Sequence, residues 1–388
     1  MYYQLIILLL LLLPFGVALG NYFTFAEIRR RGRPTRFPRI SVLVPARNEE
    51  RSIEGCVRSL LAQEYPDFEV IVLNDGSDDA TGEILKGLLE EHPDRLRVID
   101  GRALPAGWVG KNWACHQLSL SADGDWLFFT DADTRHTPDS IAACMGFAER
   151  HGVGFLSGVP FQRIESFWEE VIIPMAHFLY FAYLPNRWIT RRADPRYSAA
   201  NGQLLLIERG AYGAMGGHAA ARAQLVEDVW LGRAAKRAGV RTALAIAAGI
   251  AECRMYRSLD EIVAGFSKNL YPGLGYSPAA LAIFLVSSLL LYVLPLFFLT
   301  AALLRGDFTI AGAGLPLAQL LLAGSIRWML ARRFRMSARQ ILYQPLSAMM
   351  AAIIAINSAR WAYSPAGARW KGRSYGRPDG PKRGVKGG

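Results

Sequence analysis

Asp131 and Asp133, one residue apart, are the pair in this chain best suited to do chemistry. They follow an apolar run, Trp126–Thr130, that reads as a buried strand. A D-x-D at the carboxyl end of such a strand puts two carboxylates where the chain leaves the sheet. Open α/β sheets bind their ligands at that edge. Two carboxylates so spaced can share a hard divalent ion, Mn2+ or Mg2+, and the ion can also hold a diphosphate. The same tripeptide also serves as an ordinary acidic turn, so its neighbours decide its meaning.

Four other groups stand in similar places. Val44-Pro45-Ala46-Arg47-Asn48-Glu49 follows an apolar run and opens a helix, where backbone N–H groups and short polar side chains meet a nucleotide. Asn74-Asp75-Gly76-Ser77-Asp78-Asp79 ends a second run. There Asp75 can accept a ring N–H from a base, or the segment is an Asx turn and helix cap. Gly107-Trp108-Val109-Gly110-Lys111-Asn112-Trp113 is a glycine-bounded loop whose Lys111 can reach a phosphate. Glu227-Asp228 opens a helix, a position that also suits acids for purely structural reasons.

The elements that must position these groups alternate. Ile40–Val44, Glu69–Leu73, Leu96–Ile99, Trp126–Thr130, Phe155–Val159 and Gln203–Ile207 read as strands. Ser52–Leu61, Ala80–Leu89, Asn112–Ser119, Asp139–Glu149 and Glu227–Ala238 read as helices, the last stopping at Gly239. This pattern implies an α/β domain with a mostly parallel sheet. Phe167–Leu184 is apolar but holds Glu169, Glu170, Pro174 and His177. It fits a helix at the membrane surface or over the active site, and equally a buried core helix. Leu259–Leu270 is amphipathic, with Leu259, Ile262, Val263 and Phe266 on one face.

Hydrophobic residues make up 52% of the 388, and the excess sits in blocks. Tyr2–Leu19, Ala279–Leu304 and Ile310–Ile326 are long enough, or nearly so, to cross a bilayer; Ile341–Ile356 is weaker. Tyr2–Leu19 lacks a basic n-region and a small-x-small cleavage site, so it reads as an anchor rather than a signal peptide. The net charge of +11 is unevenly spread. Arg29–Arg39, Arg327–Arg339 and Arg360–Gly388 together carry +18, which leaves about −7 on the rest. Basic charge beside apolar blocks follows the positive-inside rule and anionic headgroups, and disfavours a nucleic-acid groove. The rule places the catalytic part in the cytosol, on the inner membrane. Ile341–Ile356 separates two basic clusters that both prefer that side, so we expect it to be re-entrant or interfacial. Cys56, Cys115, Cys144 and Cys253 show no C-x-x-C spacing and read as buried thiols, without zinc or disulfides.

In order and spacing these five groups resemble the family 2 glycosyltransferases with the GT-A (Rossmann-like) fold, over about Arg39 to Asn269. The resemblance implies a nucleotide-sugar donor, expected to be a UDP-sugar, and a divalent metal, Mn or Mg. It assigns Pro45, Ala46, Asn48 and Glu49 to the first nucleotide loop, Asp75 to the base and Lys111 to the donor. It assigns Asp131 and Asp133 to the metal, with Asp133 the more direct ligand. Asp228 becomes the base that deprotonates the acceptor, supported by Glu227, and Asn201-Gly202 lines the sugar pocket. An inverting displacement needs one such base and no nucleophilic carboxylate.

Processive synthases of the family carry Q-x-x-R-W after the E-D pair. Here the stretch is Glu252-Cys253-Arg254-Met255-Tyr256-Arg257-Ser258, with no Trp after either Arg. Arg254 or Arg257 is then expected at the diphosphate and Tyr256 at the acceptor entrance. Gly265–Asn269, the Trp108–Trp113 loop and Trp370-Lys371-Gly372-Arg373-Ser374-Tyr375 look more like the membrane enzymes that glycosylate carotenoid- and hopanoid-like lipids. The expected acceptor is therefore a membrane lipid. The alternatives are a polyprenyl-phosphate sugar or glycolipid synthase, and a catalytically silent membrane protein that binds nucleotide sugar. His136 is either a turn residue or a metal neighbour, and His218 either structural or on the acceptor side. Trp370–Arg373 either folds back on the active site or meets lipid headgroups. The expected organisation is an anchor at 1–20, a basic linker at 21–38, the catalytic domain at 39–258 and an amphipathic segment at 259–278. Membrane segments follow at 279–357 and a basic cytosolic tail at 358–388, its last dozen residues disordered.

Overall fold

The computed structural model describes residues 2–364 and 367–375. The tail stretch expected to be disordered lies outside them. The strands are β1 (Ile40–Ala46), β2 (Phe68–Asn74), β3 (Leu96–Asp100), β4 (Trp126–Thr130), β5 (Thr134–His136), β6 (Phe155–Val159), β7 (Phe161–Gln162), β8 (Leu204–Glu208), β9 (Thr242–Ile246), β10 (Ala251–Cys253), β11 (Ala368–Trp370) and β12 (Arg373–Tyr375).

Seven of them form one sheet in the order β3-β2-β1-β4-β8-β6-β9, with β8 antiparallel to both neighbours. The sheet is mostly parallel, as the strand–helix alternation predicts. Its strands are apolar on both faces because helices cover both. Val42, Val44, Val70, Val72 and Phe128 fill one core, and Leu43, Ile71, Leu73, Leu127 and Phe129 the other. Each such side chain, taken fully from water, contributes about 1.5–3 kcal/mol.

The order reverses at β1. The chain adds β2 and β3 on one side of it, then β4 on the other. Pairing of β1 with β4 ends at Leu43–Phe129, whereas pairing with β2 continues to Ala46–Asn74. Pro45, which has no N–H to give, lies beyond the last β4 pair, where its missing donor breaks no ladder there. The carboxyl ends of β1 and β4 therefore splay, and the cleft opens at the switch point. A small second sheet, β5-β10-β7, extends the floor just past β4.

Among the described residues, three helical stretches are long and apolar enough to cross a membrane: Tyr2–Thr24, Pro278–Arg305 and Ile310–Arg333. The second is interrupted at Val293, before Pro295 begins a new helix. Phe167–Ile172 and Pro174–Tyr183 form two consecutive helices whose Val171, Ile172, Met175, Phe178 and Phe181 are buried. Of the two readings open for this segment, the core helix is the one observed. Phe178 and Phe181 share a core with Ile7 and Leu11 of the first helix and with Ile326, Leu330 and Phe334. Asn21 ties the first helix down, donating to the carbonyls of Phe181 and Leu184 at 2.8 and 2.9 Å.

Not all of the basic run at 327–339 faces headgroups. Arg327 is fully buried, with Nη2 3.4 Å from Ser347 Oγ. Arg333 and Arg335 instead hold the linker, at Glu27.

The helix Leu259–Gly273 is capped by Ser258 and presents the expected apolar face, with Ile262 buried and Leu259, Val263 and Phe266 packed beside it. The last helix, Gln344–Tyr363, runs along it. Near its start Ser347 Oγ donates to Val171 O at 2.6 Å; near its end Ser358 Oγ accepts from Tyr271 N at 2.9 Å. Both of its ends thus rest on helices that follow directly on β7 and β10 of the small second sheet.

Candidate active site

The loops after β1 and β2 are laced together. Asn48, at φ 52°, donates its N–H to Ser77 Oγ (3.0 Å) and accepts from Asp78 N (2.9 Å) through Oδ1. Glu49 N donates to Thr81 Oγ1 at 2.8 Å. Asp75 N donates to Ala46 O at 2.8 Å, and Arg47 donates to the carbonyls of Asp75 and Gly76. Pro45, Ala46, Asn48, Glu49 and Asp75 are thereby brought together at the carboxyl ends of β1 and β2.

Asp131 and Asp133 begin where β4 ends. Asp131 O accepts from Thr134 N and from Thr134 Oγ1, so the motif is a turn as well as an acidic pair. Asp133 Oδ1 is buried and has no hydrogen-bond partner among the described residues. Burial, then the charges of Asp131 and Glu49, push the Asp133 carboxyl up, to about 7. A buried carboxylate oxygen with no partner, beside two other acids, is suited to a cation. The described residues contain no cluster of three or more His, Cys, Asp or Glu fit to hold a metal. The protein thus supplies two carboxylates, which suits a hard ion that takes its other ligands from phosphate and water.

On the other side of the cleft, Lys111 Nζ lies 2.7 Å from Asp131 Oδ1 and 2.9 Å from Glu227 Oε1. One ammonium thus joins the D-x-D turn to the E-D pair. Burial alone would favour neutral Lys111, but the two carboxylates override it and hold its pKa well above the usual lysine range. Burial likewise opposes ionised Glu227, and Lys111 reverses the balance, so Glu227 stays below the usual carboxylate range. Asp228 differs. Burial and the adjacent Glu227 charge push it up to about 7, against the pull of Lys111. Its Oδ2 accepts from Gly202 N at 2.9 Å and its Oδ1 from Val229 N at 2.8 Å. A Cβ at Gly202 would stand 3.2 Å from Lys111 Nζ and 3.3 Å from Glu227 Oε1, so only glycine leaves this cluster undisturbed. Asn201 is adjacent, but its amide is held by Gln203.

Arg254 and Arg257 are placed differently from the rest. Arg254 pairs with Glu165 (2.5 Å) and with the fully buried Glu169 (3.0 Å). Arg257 is exposed at the start of the next helix. Tyr256 is buried against Gly265 and Phe266. His136 has both ring nitrogens beside hydroxyls, of Thr130, Thr134 and Ser140, and burial pushes it down to about 3. It is a neutral core histidine at the end of β5 rather than the turn residue expected. His218 lies behind Glu227, bonded to Tyr212 Oη at 2.8 Å and packed on Phe129. All four cysteines are buried and free.

Two further cations reach the site, the first of them outside every motif. Lys268, from the amphipathic helix, lies close enough to Glu227, Lys111 and Asp131 to feel their charges, and burial lowers it to about 8. Its signal was a lone lysine in an apolar helix. The second is the tail: Lys371 and Arg373 fold back onto Glu49 and Asp75.

This sheet, with a nucleotide-type cleft at its switch point and acids on the carboxyl edge, is the GT-A fold of the glycosyltransferases. Residues 41–209 match the family model of glycosyl transferase family 2. Over 240 residues it is 28% identical to 4,4'-diaponeurosporenoate glycosyltransferase of Staphylococcus aureus (strain USA300). That match covers 61% of this chain and 62% of the relative, so it spans less than two thirds of the latter's length. Among solved structures, a mannosyltransferase from Pyrobaculum calidifontis, in complex with GDP-Man and Mn2+, is similar in fold. Its TM-score is 0.57 at 19% identity, covering 93% of this chain and 100% of the other.

Proposed function

We propose that the protein is an inverting glycosyltransferase that moves one sugar from a nucleotide sugar, a UDP-sugar by preference, to a membrane lipid. The observation that carries this reading is the single Lys111 ammonium shared by Asp131 and Glu227, which sets an acid pair with an unpartnered oxygen beside a second pair with a raised carboxyl. The first pair suits the donor diphosphate; the second suits proton removal.

In this reading Asp75 and the β1 loop hold the nucleoside. Asp131 and Asp133 would hold a divalent ion, which when bound supplies positive charge to the leaving diphosphate. Lys111 adds a fixed charge beside it. Asp228 Oδ takes the proton of an acceptor hydroxyl while that oxygen forms its bond to the anomeric carbon and the bond to the diphosphate breaks. Ionised Glu227 keeps Asp228 basic enough to act near neutral pH. The acceptor is a lipid because the same domain is packed on apolar helices, and because the S. aureus relative is named for a carotenoid acid.

The basic clusters beside the apolar segments support a topology with the catalytic domain and tail on the cytosolic side. The helix Gln344–Tyr363 then lies against the membrane face of the domain rather than crossing the bilayer. Labelling of a cysteine placed in the tail from the outer face alone would overturn this.

The test of function is to incubate the detergent-solubilised protein with Mn2+ or Mg2+, a panel of UDP- and GDP-sugars and a lipid extract, and to measure nucleoside diphosphate release. Release that needs both one donor and the lipid is the expected result. Donor binding without release under any condition would favour a silent nucleotide-sugar-binding protein.

A further inference from the structure

The tail hairpin occupies the place this reading gives to the nucleoside. Lys371 and Gly372 both have positive φ (45° and 76°), which makes the tight two-residue turn between β11 and β12. The turn is pinned at its tip: Arg47 Nε donates to Lys371 O at 3.0 Å, and Lys371 Nζ donates to Arg47 O at 2.9 Å. The same ammonium pairs with Glu49. Arg373 grips Asp75 with both guanidinium nitrogens, Nη2 at 2.9 Å from Oδ1 and Nη1 on Oδ2. Asp75 is buried beneath it, with 6% of its surface left exposed. A side chain at Gly110, where the Lys111 helix begins, would collide with Arg373. The hairpin thus fits against both walls of the cleft.

We propose that this hairpin is an intramolecular competitor of the donor. Arg373 presents two N–H donors to Asp75, the kind of group a base would present there, and Lys371 brings positive charge to Glu49. Two cations thereby neutralise carboxylates that the proposed donor site would present to the nucleoside and its ion. The contact is charge-assisted and bidentate, so it is strong for its size. A nucleoside diphosphate must displace it, and the observed donor affinity is lowered by the fraction of closed molecules. The proposal rests on the assignment of Asp75 to the donor site.

The experiment uses the full chain in detergent, with UDP and, in parallel, GDP as probes in the presence of Mn2+. Binding is measured by calorimetry for the wild type, Arg373→Ala and Arg373→Lys, and amide exchange is followed over residues 367–375. Arg373→Ala should bind one nucleotide roughly fivefold tighter or more, Arg373→Lys should lie between, and the nucleotide should speed exchange in the wild-type hairpin. Equal affinity in all three proteins would overturn the proposal. Weaker binding by Arg373→Ala, with slower exchange on nucleotide addition, would overturn it in favour of a lid that closes on bound donor. If no protein binds either nucleotide while Arg373→Ala still frees the hairpin, the donor-site assignment fails and takes the proposal with it.

Discussion

Lys111 Nζ lies 2.7 Å from Asp131 Oδ1, and this contact makes the two halves of the site electrostatically dependent on each other. The same ammonium pulls down the carboxyls of Glu227 and Asp228. Removing it in Lys111→Met must therefore raise Asp228 further above its ordinary value. The base acts only when ionised, so activity is lost as pH falls through its pKa. The wild type should lose turnover below about pH 7. The acid limb of Lys111→Met should move to higher pH, by about one unit. A pH–kcat profile of both proteins checks this; an unmoved limb would separate Lys111 from the base.

Asp228→Asn keeps the shape and removes the proton acceptor. With a hydroxyl acceptor kcat should fall by about 10²–10⁴ while donor affinity is retained. A carboxylate acceptor arrives already ionised and needs no base, so with such an acceptor the loss should be much smaller. Comparing the two acceptor types on one variant reads out both the role of Asp228 and the natural acceptor chemistry.

Asp133 carries the unpartnered oxygen, and Asp133→Ala should act on the ion rather than on the nucleoside. Mn2+-dependent UDP binding should weaken by about tenfold or more, while the residual binding seen with EDTA should not change. Equal loss in both conditions would mean that the residue supports the fold of the turn.

Arg254 is engaged by Glu165 and Glu169, and Glu169 is fully buried. Arg254→Ala strands that carboxylate and should destabilise the protein by about 2 kcal/mol, less than for a fully buried pair because Arg254 is partly solvated. Thermal unfolding should register the loss with donor KM unchanged. A raised KM at unchanged stability would instead place Arg254 at the diphosphate.

The sheet was legible because its strands are short apolar runs closed by chemistry-bearing turns, and Trp126–Thr130 and Phe155–Val159 match to the residue. What joins the site was not legible. Nothing in the spacing of Lys111 to Glu227, 116 positions apart, says that they touch; only closure of the sheet brings them together. β9, β5 and β10 were missed because Thr242–Ile246 is alanine-rich and the other two are three residues long, too short to show a period. The tail offered two readings, and composition favoured lipid because positive charge suits headgroups and carboxylates alike. The choice depended on Asp75 and Glu49 being within reach, a fact of tertiary structure.

The helix Gln344–Tyr363, tethered at Ser347 and Ser358, has 20 residues and so is about 30 Å long. Laid along the bilayer surface, as proposed above, such a strut would fix the height of the catalytic mouth. An enzyme mounted this way searches for its acceptor in two dimensions. Its rate should follow the mole fraction of acceptor in the surrounding lipid rather than the amount per volume of solution, and dilution with inert lipid should slow it even at constant total acceptor.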